Sequence, residues 1–251
     1  MNRPQDPVFL TPDWPAPGRV RAAVSTRLGG VSSGAYAGFN LGAHVGDEPS
    51  AVADNRALLA RQLGLLRPPV WLKQVHGVDV VDLEAAGGGT PTADASVCRT
   101  ADHLCAILTA DCLPVLLTDE RGSVVAAAHA GWRGLAAGVL ENTVQAMRVA
   151  PEQLMAWLGP AIGPEVFEVG PEVRAAFVSD DAGCRDCFRQ ARRPGHFLAD
   201  IFGLARRRLA RAGVSGVYGG GLCTVSDAER FFSYRRDATC GRMASLIWLA
   251  D

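Results

Sequence analysis

Apolar residues along this chain group into short continuous runs, the pattern typical of strands that are buried on both faces. The runs over 104–110 (LCAILTA) and 114–119 (PVLLTD) predict two such strands, separated by a short Asp-Cys-Leu segment. Residues 20–26 (VRAAVST) predict a third short strand. Residues 122–147 predict a buried strand that passes through a glycine turn into a helix. The pattern therefore predicts a protein built from sheets and helices.

In other stretches the spacing of apolar and polar residues is less regular. Residues 50–64 carry apolar positions at helical spacing before a glycine and a proline pair, and residues 170–178 predict a second helix. Residues 71–84 (WLKQVHGVDVVDLE) alternate β-branched with polar positions, which predicts two strand halves about a glycine bend. The closing segment 231–249 predicts a hairpin.

Composition indicates a folded, water-soluble enzyme-sized chain. Its 251 residues, 48% hydrophobic and 20% charged, suit one domain that spans 1–251. Lys and Arg number 25 against 26 Asp and Glu, so no basic excess points to nucleic acid. The longest apolar stretch is interrupted by an aspartate and is too short to span a membrane. The proline-rich first 18 residues do not resemble a signal peptide, which favours a cytoplasmic location. We read the seven cysteines as reduced thiols.

Three potential metal ligands each lie where a predicted strand meets a glycine or proline turn. They are His76 in VHG, Cys112 in DCLP and His129 in AHAG. Catalytic zinc is commonly held by three such ligands, with a fourth position left for water. Spacings of 36 and 17 residues match no compact metal motif, so partly buried histidines and a cysteine that fills the core remain alternatives.

Five segments together resemble one family over nearly the whole chain. They are STRLGGVSSGAYAGFNLGAHVGD, WLKQVHGVDVV, TADCLPVLL, AAAHAGWRGLAAGV and ERFFSYRRDATCGRMASLIWL. This pattern is similar to the YfiH-type laccase-domain family, historically named polyphenol oxidases. The resemblance implies an α+β fold, a single domain of mixed β-sheets layered with helices. It also implies that His76, Cys112 and His129 bind zinc, with no ligand position departing from the family pattern.

The resemblance further implies action on purine nucleosides. The family's activities are purine nucleoside phosphorylase, methylthioadenosine phosphorylase and adenosine deaminase, so purine nucleosides and phosphate are the expected small-molecule partners. The sequence does not rank phosphorolysis against deamination. Either reaction needs proton transfer, for which Asp111 beside the cysteine and His44 in NLGAHVGD are candidates. Alternatively, Asp111 and His44 support the metal ligands or the structure of their loops. No oligomer is indicated, and a monomer is favoured.

Charged and polar residues near the motifs are candidates for binding substrate. Arg133 lies in the glycine turn HAGWRG and could bind phosphate, while Arg27 and Arg235 are anion or ribose candidates. Surface charge is the alternative for each arginine. Gln74 is two residues from His76 and would share its face of a strand, where it could bind a base edge. Asn40, in the first family segment, is a further candidate contact for substrate.

Two other chemistries remain open. Two histidines and a cysteine also suit copper, although five histidines in total and no His-x-His pair weigh against a multicopper oxidase. Weak phenol oxidation could follow from copper that is loaded in vitro. A cysteine hydrolase would use Cys112 as nucleophile, with His129 or His76 as base. The CxxC of Cys184 and Cys187 lacks a partner motif, so a second zinc site is not predicted.

Overall fold

The computed structural model describes residues 8–250. Residues 1–7 and residue 251 lie outside the described residues. Residues 1–7 are part of the proline-rich segment that does not resemble a signal peptide. Within 8–250, no helix is both long and apolar enough to cross a membrane. The predicted mixture of sheets layered with helices is confirmed.

Three sheets form the framework of the described chain. Their strands are β1 Phe9–Leu10, β2 Val20–Ser25, β3 Val80–Asp82, β4 Ala95–Cys98, β5 Cys105–Thr109, β6 Leu113–Asp119, β7 Val125–Ala130, β8 Leu154–Leu158, β9 Glu168–Val169, β10 Phe188–Gln190, β11 Phe197–Ala199, β12 Gly216–Gly219 and β13 Met243–Leu249. The largest sheet has six strands in the order β12-β8-β6-β7-β4-β3, the second has the order β1-β2-β13-β5, and the smallest has the order β10-β11-β9.

Helices pack against both of the larger sheets and fill the connections. They are α1 Pro49–Gln62, α2 Trp132–Ala137, α3 Val139–Met147, α4 Pro171–Val178, α5 Ile201–Arg211 and α6 Tyr234–Asp237. Three short 3₁₀ helices within the described chain cover Gly34–Tyr36, Pro151–Gln153 and Ala182–Cys187. The helices predicted over 50–64 and 170–178 correspond to α1 and α4.

The continuous apolar run of β6 is explained by burial on both faces. Leu117 belongs to the cluster that packs against the helices, whereas its neighbour Leu116 faces the four-stranded sheet. On that inner side Leu116 shares a buried cluster with Ile107 of β5 and Ile247 of β13. Successive residues of a strand point to opposite faces, so both faces must be apolar here.

Strand pairing places Cys112 and His129 together at one end of two central strands of the large sheet. β6 begins directly after Cys112 and runs antiparallel to β7, with Leu113 opposite Ala130 and Pro114 opposite His129. The chain also changes sheets at this point, because β5 lies in the four-stranded sheet and β6 in the six-stranded one. The Asp-Cys turn thus lies at the junction between two sheets.

Two predicted elements differ from the structure. Of the two strand halves predicted over 71–84, the second contains β3, but the first is wrong because it forms only an isolated bridge at Lys73, and the backbone at His76 takes a left-handed conformation. The hairpin over 231–249 is also wrong. Its first half forms the short helix α6, capped by the Ser233 side chain, which accepts a hydrogen bond from the Arg236 amide. Its second half, β13, pairs instead with β2 and β5.

Candidate metal centre

His76, Cys112 and His129 meet where the chain passes between the two larger sheets. One ring nitrogen from each histidine and the cysteine Sγ all lie within 4.8 Å of one another. Cys112 Sγ is 3.8 Å from His76 Nε2, and the two imidazole rings are packed edge to face. His129 is buried, Cys112 is half-buried and His76 is exposed. One side of the group is therefore open to solvent and substrate.

The backbone around these side chains adopts rare conformations. His76 has φ 61° and Asp111, beside Cys112, has φ 93°, which are left-handed values that residues other than glycine seldom adopt. Such conformations persist where surrounding contacts fix them, and they cluster at functional sites. Gly131 packs closely against His76 and Cys112. A Cβ atom at this position would lie 2.9 Å from His76 Cδ2 and 3.0 Å from Cys112 Sγ.

A carboxylate that the sequence analysis missed supports both histidines. Asp94, at 0% exposure, precedes β4 and lies 2.8 Å from His129 Nδ1 through its Oδ1 atom. Oδ1 also accepts a hydrogen bond from the His76 amide, and Oδ2 accepts from the amides of Val75 and Gly77. In the sequence Asp94 lies in TADASV and belongs to no recognised metal motif. Its position at the start of an otherwise apolar strand was the available signal.

The electrostatics of the group favour a thiolate. Burial opposes ionisation of Cys112, but the charge of His129 and hydrogen bonds from His129 and His76 outweigh it and lower the cysteine pKa to about 6. Burial disfavours the charged imidazole of His129, yet Cys112 and Asp94 raise its pKa to about 9. Burial also opposes ionisation of Asp94, but its hydrogen bonds hold the pKa at about 2. Thiolate and carboxylate are thus both present at neutral pH.

This donor set fits a metal ion. Three nitrogen and sulfur donors converge, the thiol is already acidified, and a carboxylate holds one imidazole from behind, as is common where histidine binds zinc. Within the described residues this is the one group of three or more His, Cys, Asp or Glu side chains close enough to hold a metal. The remaining histidines of the chain do not build a second centre there.

Two cavities meet at this centre. Their shared walls are formed by His76, Ala110, Cys112 and Tyr234. The first has a volume of about 200 Å³ and is otherwise lined by Asp111, Trp132, Arg133, Ile162, Phe167, Ile201 and Arg235. We call it the aromatic cavity. The second has a volume of about 400 Å³ and is otherwise lined by His44, Gln74, Leu108, Thr109, His129 and Arg242. We call it the cationic cavity.

Four more predicted residues line these cavities, and two of them, Asp111 and Arg235, already make hydrogen bonds within the protein. Asp111 accepts hydrogen bonds from the Thr224 hydroxyl and the Arg235 amide, one on each carboxylate oxygen. The Arg235 guanidinium donates to the Glu168 carbonyl, while that of Arg133 lies 4.4 Å from the Trp132 ring centroid. His44 borders the cationic cavity, and burial together with Arg242 and Arg56 lowers its pKa.

The side chains of three other predicted substrate contacts make hydrogen bonds to the backbone of the protein itself. Gln74 borders the cationic cavity, but its amide both donates to the Leu108 carbonyl and accepts from the Leu108 amide. Asn40 is fully buried, and its oxygen accepts from the amides of Gly42 and Arg242. Arg27 lies over the Phe232 ring and donates to the carbonyls of Ala37 and Ala228. Neither Asn40 nor Arg27 lines the two described cavities.

Tyr234 and Arg242 border the site and were not predicted. Tyr234 is 58% exposed and forms a wall of both cavities. Arg242 lies in the cationic cavity, anchored to the carbonyls of Cys240 and Gly241. In the segment SYRRDATCGR, three other charged residues accompany Arg242, so the sequence alone does not single it out from surface charge.

Comparison with known families agrees with this geometry. The family model described as multi-copper polyphenol oxidoreductase laccase matches residues 21–250. The chain belongs to this family. The predicted resemblance is therefore confirmed, although the single three-residue group in the described chain differs from the several coppers in the family's description.

Similar proteins cover the chain almost end to end. A purine nucleoside phosphorylase of Pseudomonas aeruginosa is 56% identical over 97% of this chain and 99% of the relative. Purine nucleoside phosphorylase YfiH of Escherichia coli is 54% identical over 96% and 98%. A crystal structure of a Neisseria meningitidis DUF152 protein has a TM-score of 0.93 at 55% identity, covering 97% and 99%. YlmD from Geobacillus stearothermophilus has a TM-score of 0.84 at 31% identity, covering 93% of each chain.

Proposed function

We propose that this protein is a zinc-dependent purine nucleoside phosphorylase. The main support for this proposal is that the aromatic cavity and the cationic cavity meet at the group of His76, Cys112 and His129. Relatives that are more than half identical bear the name purine nucleoside phosphorylase. In the reaction the bond between ribose C1′ and the purine nitrogen breaks and a bond from C1′ to a phosphate oxygen forms. The proton of hydrogen phosphate ends on the purine, giving free base and ribose 1-phosphate.

The aromatic cavity suits the purine. Trp132, Phe167 and Ile162 provide flat and apolar walls, against which a base can be packed. The exposed ring of Tyr234 at the junction can cover the nucleoside where base and ribose join. Arg133 lies at the same wall over Trp132, where its guanidinium can contact the sugar or base. Adenosine, inosine, guanosine and methylthioadenosine are the substrates that we propose.

The cationic cavity suits phosphate. Arg242 brings a permanent positive charge, and the ring of His44 can donate an N–H to an anion. Among the described residues that line this cavity there is no carboxylate to repel an anion. Phosphate held here and a purine held in the aromatic cavity would place ribose C1′ between them, beside Cys112. Orientation of the two reactants is the main contribution that we assign to these side chains.

Charge balance favours a divalent ion such as zinc over Cu(I) at this donor set. The Cys112 thiolate and the Asp94 carboxylate carry two negative charges, so a divalent ion makes the buried group neutral, whereas Cu(I) would leave it with an excess negative charge. Cysteine and histidine are common zinc ligands. When bound, zinc supplies a Lewis acid that polarises an oxygen of substrate or water. A copper-dependent phenol oxidase is the alternative that the family description suggests.

Adenosine deamination is a second proposed activity and ranks below phosphorolysis. It would need a group that moves protons between water and the base. Among the described residues that line the cavities, Asp111 is the one carboxylate, and both of its oxygens already accept hydrogen bonds. A cysteine hydrolase that uses Cys112 is the remaining alternative, and it would work without metal.

Product analysis tests the proposal. Purified protein is incubated with adenosine or inosine, with and without phosphate, and the purine products and ribose 1-phosphate are separated. We expect free base and ribose 1-phosphate in equal amounts, with phosphate required, and no product from Cys112→Ala. Inosine formed from adenosine without phosphate would indicate deamination instead. Full activity after chelation, abolished by thiol alkylation, would indicate a cysteine hydrolase.

The assignment of the cavities is tested with two arginine variants. We expect Arg242→Met to raise the KM for phosphate with little change in the KM for nucleoside. Arg133→Met serves as the matched control, since it removes one cation from the other cavity and should act on the nucleoside instead. The reverse pattern would place phosphate in the aromatic cavity and refute our assignment.

A further inference from the structure

The side chain of Asp94 contacts both histidines of the candidate centre from behind. Oδ1 lies 2.8 Å from His129 Nδ1 and accepts from the His76 amide at 2.9 Å. Oδ2 accepts from the Gly77 amide at 2.7 Å and the Val75 amide at 3.1 Å. An ionised carboxylate has about four acceptor positions. All four are used by neighbouring groups of this chain.

We propose that Asp94 is a positioning residue that prepares the centre for metal by fixing His129 in one tautomer and the Val75–Gly77 turn in one conformation. The inference depends on the proposed metal centre and assigns a role to a residue behind it. Asp94 itself lies at 0% exposure on the far side of His129 from the cavity. It is therefore placed to act through the histidines rather than on substrate.

The tautomer follows from the acceptor count. Three backbone amides already donate to the carboxylate, and an ionised carboxylate has no hydrogen to offer, so His129 Nδ1 must be the donor. When the ring gives up its second proton to make room for a metal ion, the remaining proton resides on Nδ1, and Nε2 has the free electron pair. A metal requires that lone pair. With Asp94 in place, the neutral His129 ring has its free lone pair on the atom away from the carboxylate.

The second effect concerns His76. Its φ of 61° is costly for a histidine, and conformations of this kind need support from their surroundings. Asp94 gives that support by accepting the amides of Val75, His76 and Gly77 in succession. The backbone is tied from the other side as well, because the His129 amide donates to the Asp94 carbonyl at 2.7 Å. One residue thus sets the relative positions of two ligands from distant parts of the chain.

Asp94→Asn tests this role without changing the size of the side chain. If the asparagine oxygen accepts from His129 and His76, the NH₂ group faces the donating amides of Val75 and Gly77. In the opposite orientation, the NH₂ group faces the donors of His129 and His76. We expect the zinc affinity, measured by competition with a chromogenic chelator, to fall between about 10-fold and 100-fold. Circular dichroism and thermal melting of the metal-free protein show whether the variant is folded.

Asp119→Asn is the matched control. Asp119 is also a buried aspartate, at 2% exposure, and its carboxylate accepts from the amides of Ser123 and Val124 and from the Ser123 hydroxyl. It lies at the opposite end of β6 from Cys112. We expect this variant to lose stability while it keeps the wild-type zinc affinity. An equal loss of affinity in both variants would overturn the specific role of Asp94, as would unchanged affinity in Asp94→Asn.

A measurement on the wild-type protein decides the question even if Asp94→Asn fails to fold. Long-range ¹H–¹⁵N NMR of the zinc-loaded, histidine-labelled protein reports which ring nitrogen carries the proton. We expect the proton of His129 on Nδ1, and a proton on Nε2 would overturn the inference. A wild-type protein that binds no zinc would overturn the metal centre and this inference together. The other contrary results would overturn the role of Asp94 alone.

Discussion

Gly131 provides a test of the centre that leaves every ligand in place. Its φ of −60° and ψ of 152° are allowed for alanine, so Gly131→Ala introduces no backbone strain. The added methyl group would lie 2.9 Å from His76 Cδ2 and 3.0 Å from Cys112 Sγ, against an ordinary contact of at least 3.4 Å. The ring and the sulfur must therefore move by about 0.5 Å, which is the tolerance of a preorganised site.

Stability and metal affinity should respond differently to this change. Removing glycine's freedom in the unfolded chain contributes about 0.4–1 kcal/mol, while overpacking costs about 1–3 kcal/mol, so the metal-free variant should lose about 1–2 kcal/mol. Its zinc affinity should fall at least about 10-fold, the lower end of losses from disturbed ligand support. Chelator competition measures the affinity, and thermal unfolding of the chelated proteins measures the stability.

Gly216→Ala is the control for Gly131→Ala. Gly216 lies in β12, and a Cβ atom there would be 3.5 Å or more from the nearest heavy atoms, an ordinary contact. This variant should keep the wild-type affinity for zinc. Wild-type affinity in Gly131→Ala as well would refute the claim that the three side chains bind one metal ion beside this glycine.

Three further predictions concern the Cys112 thiol and the buried strand β6. In metal-free protein, the alkylation rate of Cys112 should rise through pH 6, where its lowered pKa lies, and fall away below that pH because the thiolate is lost. Cys105, whose pKa burial raises to about 12, should stay unreactive at the same pH values. Zinc should protect Cys112 from alkylation, as measured by mass spectrometry of the tryptic peptides. Leu117→Ala, which empties a fully buried position in β6, should cost about 2–5 kcal/mol in denaturant unfolding.

Each of these predictions has a clear contrary outcome. Half-maximal alkylation of Cys112 near pH 9 would mean that the imidazoles do not stabilise its thiolate. Equal alkylation with and without zinc would place the metal elsewhere. A loss below about 1 kcal/mol for Leu117→Ala would contradict a close-packed core between sheet and helices.

The strands at the site could be predicted because β5 and β6 are buried on both faces. Continuous apolar runs such as 104–110 have few alternatives in a chain of this composition, and the Asp-Cys turn between them followed directly. The metal ligands could be proposed because each lies at a turn beside such a run, and the family motifs then selected them together.

The supporting groups could not be predicted because their partners are distant in sequence. Asp94 is 35 residues from His129, and its hydrogen bonds depend on a left-handed backbone at His76, which the alternating residues on either side of the predicted bend do not indicate. Tyr234 lies on a four-residue helix inside a segment whose apolar residues suggested a hairpin. In both places local propensity yields to tertiary contacts, which single-sequence patterns do not record.

Titration of chelated protein with zinc tests the central claim most directly. Ribose 1-phosphate formation from inosine and phosphate is followed as zinc is returned in fractions of an equivalent. We predict that the rate rises linearly to one equivalent and then stays constant, because one centre of His76, Cys112 and His129 supports the reaction. Full activity before any metal is added, or a rate that requires several equivalents, would contradict the account.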